Sequence, residues 1–326
     1  MPATNRLKNQ HLLWRSAFGP MAENAAQLDT LSQKSLWGLL KKTSAGPVQK
    51  ITVTNNPADD YMMADPGATK KKLQDPETRK KLREKSRDDL KDLNVRWMQN
   101  MVNSQAQLLE KTSLFWHGHF ACRTVNSYFA QELLHIIRTN ALGSFADMLK
   151  AVSKSPAMLR FLNNQQNKKQ HPNENFAREV MELFTMGRGN YTETDVKEAA
   201  RAFTGWSFNP KGEFVFRKNL HDDGVKTFLG KTGNFDGDDI LNMLLAHAQT
   251  ANYISQKIYR YFVNDTVDEK QQQWLSNRFY KSNYNIAGLL EDIYTSNWFY
   301  EDKNIGTRIK SPVELLVGIR RLLPMQ

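Results

Sequence analysis

Apolar residues recur at helical spacing along almost the whole chain, and the period changes to alternation only near Trp206 to Phe216. A 3.6-residue period buries one face of each helix, so such a chain must pack helix against helix. The clearest stripe spans residues 174–186, where Phe176, Ala177, Val180, Met181, Leu183 and Phe184 share one arc. Glu174, Asn175, Arg178, Glu179 and Glu182 fill the opposite arc, with Asn173 placed to cap the start and Gly187 or Gly189 to stop the helix.

The same spacing predicts short helices over the first forty residues (Leu12, Leu13, Trp14 and Phe18; Leu36, Trp37, Leu39 and Leu40). Residues 44–76, with Pro47, Pro57, Pro66 and Gly67, read as a loop or linker. From Pro76 one helical pattern runs to about Phe115 and turns gradually from charged to apolar, as for a helix that docks only at its far end. Further helices are expected near 126–142, 145–152 and 157–163, after a capping box at Thr192–Asp195, and near 237–247, 250–263, 267–281, 286–296 and 312–323. Between them, Trp206 and Phe208 alternate with Phe214 and Phe216 across an Asn209-Pro-Lys-Gly212 turn, as in a hairpin. The expectation is a mainly α, multi-helix globular array with a small β excursion near 206–230, in a single domain over 1–326. A chain of 326 residues, 40% of them apolar, buries roughly three quarters of its unfolded surface.

No apolar run approaches the ~20 residues that span a bilayer, so a transmembrane segment is not expected. The 45 Lys and Arg against 34 Asp and Glu give a net charge of 45 − 34 = +11, which favours acidic partners such as a small acidic molecule or a glycan. The densest basic block, Lys70 to Arg87, interleaves Asp75, Glu77 and Glu84 and lacks aromatic residues. It therefore reads as a solvated helix rather than a nucleic-acid surface. Cys122 stands alone, which excludes an intrachain disulfide and reads as a buried inert thiol. The opening Met-Pro-Ala-Thr-Asn-Arg lacks the layout of a secretory signal, so the chain reads as cytoplasmic; a periplasmic or secreted protein whose leader had been removed would read the same.

Three polar clusters carry the candidate chemistry. In Phe115-Trp-His-Gly-His-Phe120, His117 and His119 point to one side only if Gly118 makes the backbone extended; the pair then suits a divalent metal ion. With no second anchor in the sequence, two core histidines beneath the aromatics are favoured over that site. The second cluster, His171 to Glu182, is an exposed face if solvent covers it and a set of paired or cation-binding carboxylates if protein does; sequence favours solvent. The third, His221-Asp-Asp-Gly-Val-Lys-Thr227, fails as a phosphate loop because its glycines are misplaced. Asn234–Asp239 fails as a calcium loop and reads as a helix start. Glu132-Leu-Leu-His135 has no second copy, which a di-iron bundle would need.

Taken in order, Leu12–Gly19, Phe115–Phe120, Ala141–Phe145, Pro156–Leu159, Pro172–Gly187, Tyr191–Val196, Ala200–Trp206 and His221–Thr227 resemble the domain-of-unknown-function 1800 family of bacteria. The resemblance implies a chain with a further C-terminal stretch rich in Pro, Gly and Trp, and a genomic neighbour that looks sulfatase-like. It assigns no chemistry. Two readings compete. In one, Glu179, Glu182, His221 and Asp222 act as acid–base residues and Asn173, Asn175, Arg178 and Lys226 hold an anionic or saccharide-like substrate, with His117 and His119 on a metal ion, all in one pocket. In the other, the same side chains form hydrogen-bond networks in a structural or interaction protein of the cell envelope.

Overall fold

A computed structural model describes residues 3–24, 26–56 and 75–323. Among these are fifteen α-helices and two separate two-stranded sheets. The helices are α1 Asn5–Ser16, α2 Gln27–Thr30, α3 Gln33–Ser44, α4 Pro76–Asn103, α5 Gln107–His119, α6 Ser127–Asn140, α7 Phe145–Ser153 and α8 Pro156–Phe161. After α9 Glu174–Glu179 and α10 Glu193–Ala202 come α11 Gly237–Ala246, α12 Ala248–Phe262, α13 Glu269–Lys281, α14 Ile286–Tyr294 and α15 Pro312–Leu322. The starts are set locally: Ser32, Asp75, Asn126, Ser144, Ser155, Thr192, Asp236 and Ser311 each accept a backbone N–H of the first turn. Thr192 forms the expected capping box with Asp195, and Asp236 with Asp239 and Ser311 with Glu314 form two more, the former at the helix start read from Asn234–Asp239.

One large apolar core holds Trp116, Phe120, Phe145, Phe176, Phe203 and Phe262. A smaller one, of Phe18, Leu93, Trp97, Met101, Leu134 and Val317, ties the first and last helices to α4 and α6. Leu93, Trp97 and Met101 are buried while Leu82 is exposed, so α4 does dock at its far end. The pattern over 76–115 nevertheless belongs to two helices. Ser104 caps α4, its Oγ accepts from Ala106 N at 3.0 Å, and the Gln107 amide donates to the Met101 and Ser104 carbonyls at 2.8 and 2.7 Å. That local bonding turns the chain without Pro or Gly, the residues that usually announce a break. Of the basic block, Lys70, Lys71 and Lys72 lie outside the described residues, as do residues 57–74 of the loop; Lys81 and Lys85 sit on α4 in exposed ion pairs with Glu77 and Asp89.

The stripe at 174–186 is also two pieces. α9 passes into a π-helical turn, Val180–Thr185, in which Met186 N donates to Met181 O at 2.8 Å and Thr185 Oγ1 to Val180 O at 2.7 Å. The wider turn keeps Val180, Met181 and Phe184 in the core and puts Leu183 outside, 44% exposed. The β excursion holds two antiparallel hairpins. β1 Trp206–Phe208 pairs with β2 Phe214–Phe216 across Gly212, and β3 Lys226–Phe228 pairs with β4 Lys231–Gly233. Leu229 and Gly230, both at positive φ, make the second turn, and Asp195 Oδ1 accepts Leu229 N at 2.8 Å to hold it against α10. In α15, Val317 is buried while Leu316, Ile319 and the following Leu323 are exposed. No described helix is long and apolar enough to cross a membrane.

Candidate functional site

His117-Gly-His119 is helical, the last turn of α5, so residues two apart lie ~200° apart on it. His119 is buried against Trp116, Phe120, Phe145 and Phe184, and its Nε2 stands 3.3 Å from Phe184 O. His117 is exposed, edge-on to Trp97 at 5.1 Å. Two imidazoles on opposite faces cannot share one ion, so the metal reading of this pair is corrected. Core histidine describes His119 alone. Burial first, then the nearby Lys257 ammonium, holds His119 well below the usual imidazole range and hence neutral. Among the described residues no three His, Cys, Asp or Glu side chains gather as a metal site would require.

On α9, the second cluster divides by face. Arg178 donates to Glu193 at 2.8 and 2.7 Å and to Glu174 at 3.3 Å, joining α9 to the start of α10 with its guanidinium occupied. Asn173 caps the helix through Asn175 N at 3.0 Å, and the Asn175 amide donates to Leu162 O at 3.3 Å. Both line an open groove of about 880 Å³ with Gln165, Gln166, Lys168, His171, Glu174 and Leu220. Amide side chains dominate its wall, which suits a ligand rich in hydroxyls.

Glu179 lies four residues beyond Asn175, about 6 Å along the helix on the same face. It is half-buried and makes no hydrogen bond or ion pair among the described residues. Burial, then the charge of Glu182, pushes its carboxyl above the usual range. Glu182 is the reverse case. Arg188 Nε and Tyr191 Oη (2.9 Å) both donate to it and hold its carboxyl below the usual range. Two carboxyls three residues apart are thus pushed in opposite directions, Glu179 up and Glu182 down.

The third cluster is a closed network. Arg201 donates to Asp222 at 2.8 and 3.2 Å and to Glu198 at 3.0 and 2.9 Å, while Glu198 Oε2 also accepts Thr227 N at 3.0 Å. The Arg201 guanidinium, opposed only by burial, keeps the Asp222 carboxyl low. Lys226 is buried and donates to the carbonyls of Asp222 and Gly224 at 2.5 and 3.0 Å. His221, also buried, has Nδ1 3.0 Å from Thr204 O. No hydrogen bond or ion pair among the described residues links His119, the Glu179–Glu182 pair and the His221–Asp222 pair. Their hydrogen bonds and ion pairs thus form three separate sets, and of the residues expected in one pocket Asn173 and Asn175 line a groove together. Reading the sequence passed over Arg188, Tyr191, Arg201 and the glutamines of the groove. Only Glu198 and Arg201, three apart on a helix, left a signal.

A comparison with curated proteins finds no match, nor does one with solved structures. The family model described as a protein of unknown function, DUF1800, matches residues 11–326, and the chain belongs to that family.

Proposed function

We propose that the protein acts on a hydroxyl-rich, saccharide-like ligand laid in the groove beside α9. Glu179 donates a proton to the leaving oxygen as the glycosidic C–O bond breaks, Glu182 stays ionised where positive charge develops, and water adds at the sugar carbon and returns a proton to Glu179. The supporting observation is that Glu179 is left without a partner, half-buried, beside a carboxylate that Arg188 and Tyr191 hold ionised. The net charge of +11 suits an acidic glycan, and the sulfatase-like neighbour that the family resemblance implies would work on the same class of polymer. Such a polymer belongs to the envelope, so the periplasmic or secreted location goes with this reading. A structural role fits the Arg201–Glu198–Asp222 network, whose closed pairing leaves nothing to offer a substrate.

The test is release of reducing ends from a panel of acidic and neutral polysaccharides. Wild type should cleave at least one, and Glu179→Gln should lose about 10²-fold or more in rate while still binding that polymer. No cleavage by wild type, or full activity in Glu179→Gln, sinks the proposal.

A further inference from the structure

Three cations converge where α1 meets the segment leading into α15. Arg15 is 6% exposed and Lys111 3%, and the Arg308 guanidinium lies 4.0 Å from the centre of the Tyr261 ring. Glu314, 4% exposed, pairs with Lys111 and stands 4.0 Å from Arg308, but forms no ion pair with Arg15. Three cations against one carboxylate leave an excess of 3 − 1 = 2 positive charges.

Arg15 carries most of that imbalance. Among the described residues its guanidinium makes one hydrogen bond, Nη2 to Thr307 Oγ1 at 3.2 Å, and no ion pair. Glu314 attracts it without pairing with it, and exposed Asp265 attracts it less. A buried guanidinium with no carboxylate paired to it is costly, and proteins seldom leave one so. Burial, then repulsion from Arg308, brings its pKa down to about 10.

Beside this cluster is a chamber of about 190 Å³, lined by His11, Trp14, Arg15, Arg308, Lys310 and Glu314. His11 is 5% exposed, and its Nε2 has no hydrogen-bond partner. Burial and then Arg15 push its pKa down to about 4, so the ring is neutral at pH 7. Lys310 stands near the chamber wall with its ammonium 4.1 Å from the Trp14 ring centre. The chamber thus offers unspent positive charge, a free ring nitrogen and room for a few heavy atoms.

We propose that this chamber is a binding site for a small oxyanion of the phosphate or sulfate type, held by Arg15 and Arg308 with Lys310 at its edge. Guanidinium forks match the oxygens of such anions, and the bound charge would replace the counter-ion that the fold omits. The site shares no residue with the α9 groove, so its failure and that of the glycan reading are independent.

Calorimetric titration with inorganic phosphate at pH 7 tests it, with sulfate as a second probe and sodium chloride at matched ionic strength as control. Glucose 6-phosphate distinguishes a free ion from the head of a larger ester. Phosphate or sulfate should bind saturably at one site and raise Tm, which chloride should not. Arg15→Met should fold with Tm at least as high as wild type in the absence of anion, because an unpaired charge is removed, and should bind at least tenfold more weakly. Lys310→Gln, at an exposed position, should bind about threefold more weakly with its fold intact. In NMR spectra, the His11 ring should shift on titration and its pKa rise as the anion offsets Arg15. Equal responses to phosphate, sulfate and chloride, or unchanged binding in both variants, would overturn the assignment.

Discussion

A buried imidazole must choose between a proton and its surroundings, and two in this protein refuse the proton. His119, ringed by Trp116, Phe120, Phe145 and Phe184, is held well below the usual range, and His11 is brought down to about 4, by burial in each case before any charge. In the unfolded chain both titrate near 6.5. Below that pH the unfolded state takes up protons that the folded state declines, so stability is full above about pH 6.5 and falls as pH drops toward 4. Urea midpoints measured from pH 7 to pH 4 should decline, and His119→Gln should flatten the decline; an unchanged slope would contradict this account. Cys122 offers a simpler case. Burial pushes its thiol up to about 12, so it should react with iodoacetamide at pH 8 far more slowly than free cysteine, as expected for an inert thiol.

At the scale of elements, the α9-to-π junction is where local rules and packing diverge. Its apolar positions and the Asn173 cap were legible in the sequence because each depends on neighbours a turn away. The wider turn after Glu179 was not legible, since five-residue bonding leaves no residue signature, and Leu183 was consequently assigned to the wrong face. Gly187 closes that turn at φ +77°, where a Cβ would lie 2.8 Å from the Tyr253 ring. Gly187→Ala should therefore cost about 1–2 kcal/mol from positive φ alone, measurable by urea denaturation. A neutral result would mean that the ring moves aside and the backbone can change its course.

For the whole molecule, the decisive contacts join distant segments. Glu110 accepts Arg138 Nη2 at 2.6 Å and Trp97 Nε1 at 2.9 Å, and Arg138 Nη1 reaches Gln49 O at 2.6 Å. α4, α5, α6 and the irregular chain at Gln49 thus meet at one buried ion pair. Glu110→Ala should destabilise by about 3–5 kcal/mol, because Arg138 is left charged and unpaired in the core. Pairing it with Arg138→Met should recover much of that loss in the same denaturation experiment; additive losses in the double variant would show that the two residues act independently and would contradict this account.

Helical class, most helix starts, the Thr192 capping box and the first hairpin follow from residues close along the chain, so the chain's own order was enough to determine them. Which polar side chains face one another depended on long-range packing. His117 and His119, two apart in sequence, part company on a helix, whereas Arg15 and Arg308, almost at opposite ends of the chain, come together in one charged cluster. Charge and burial act through space, and space is set only when the helices have packed.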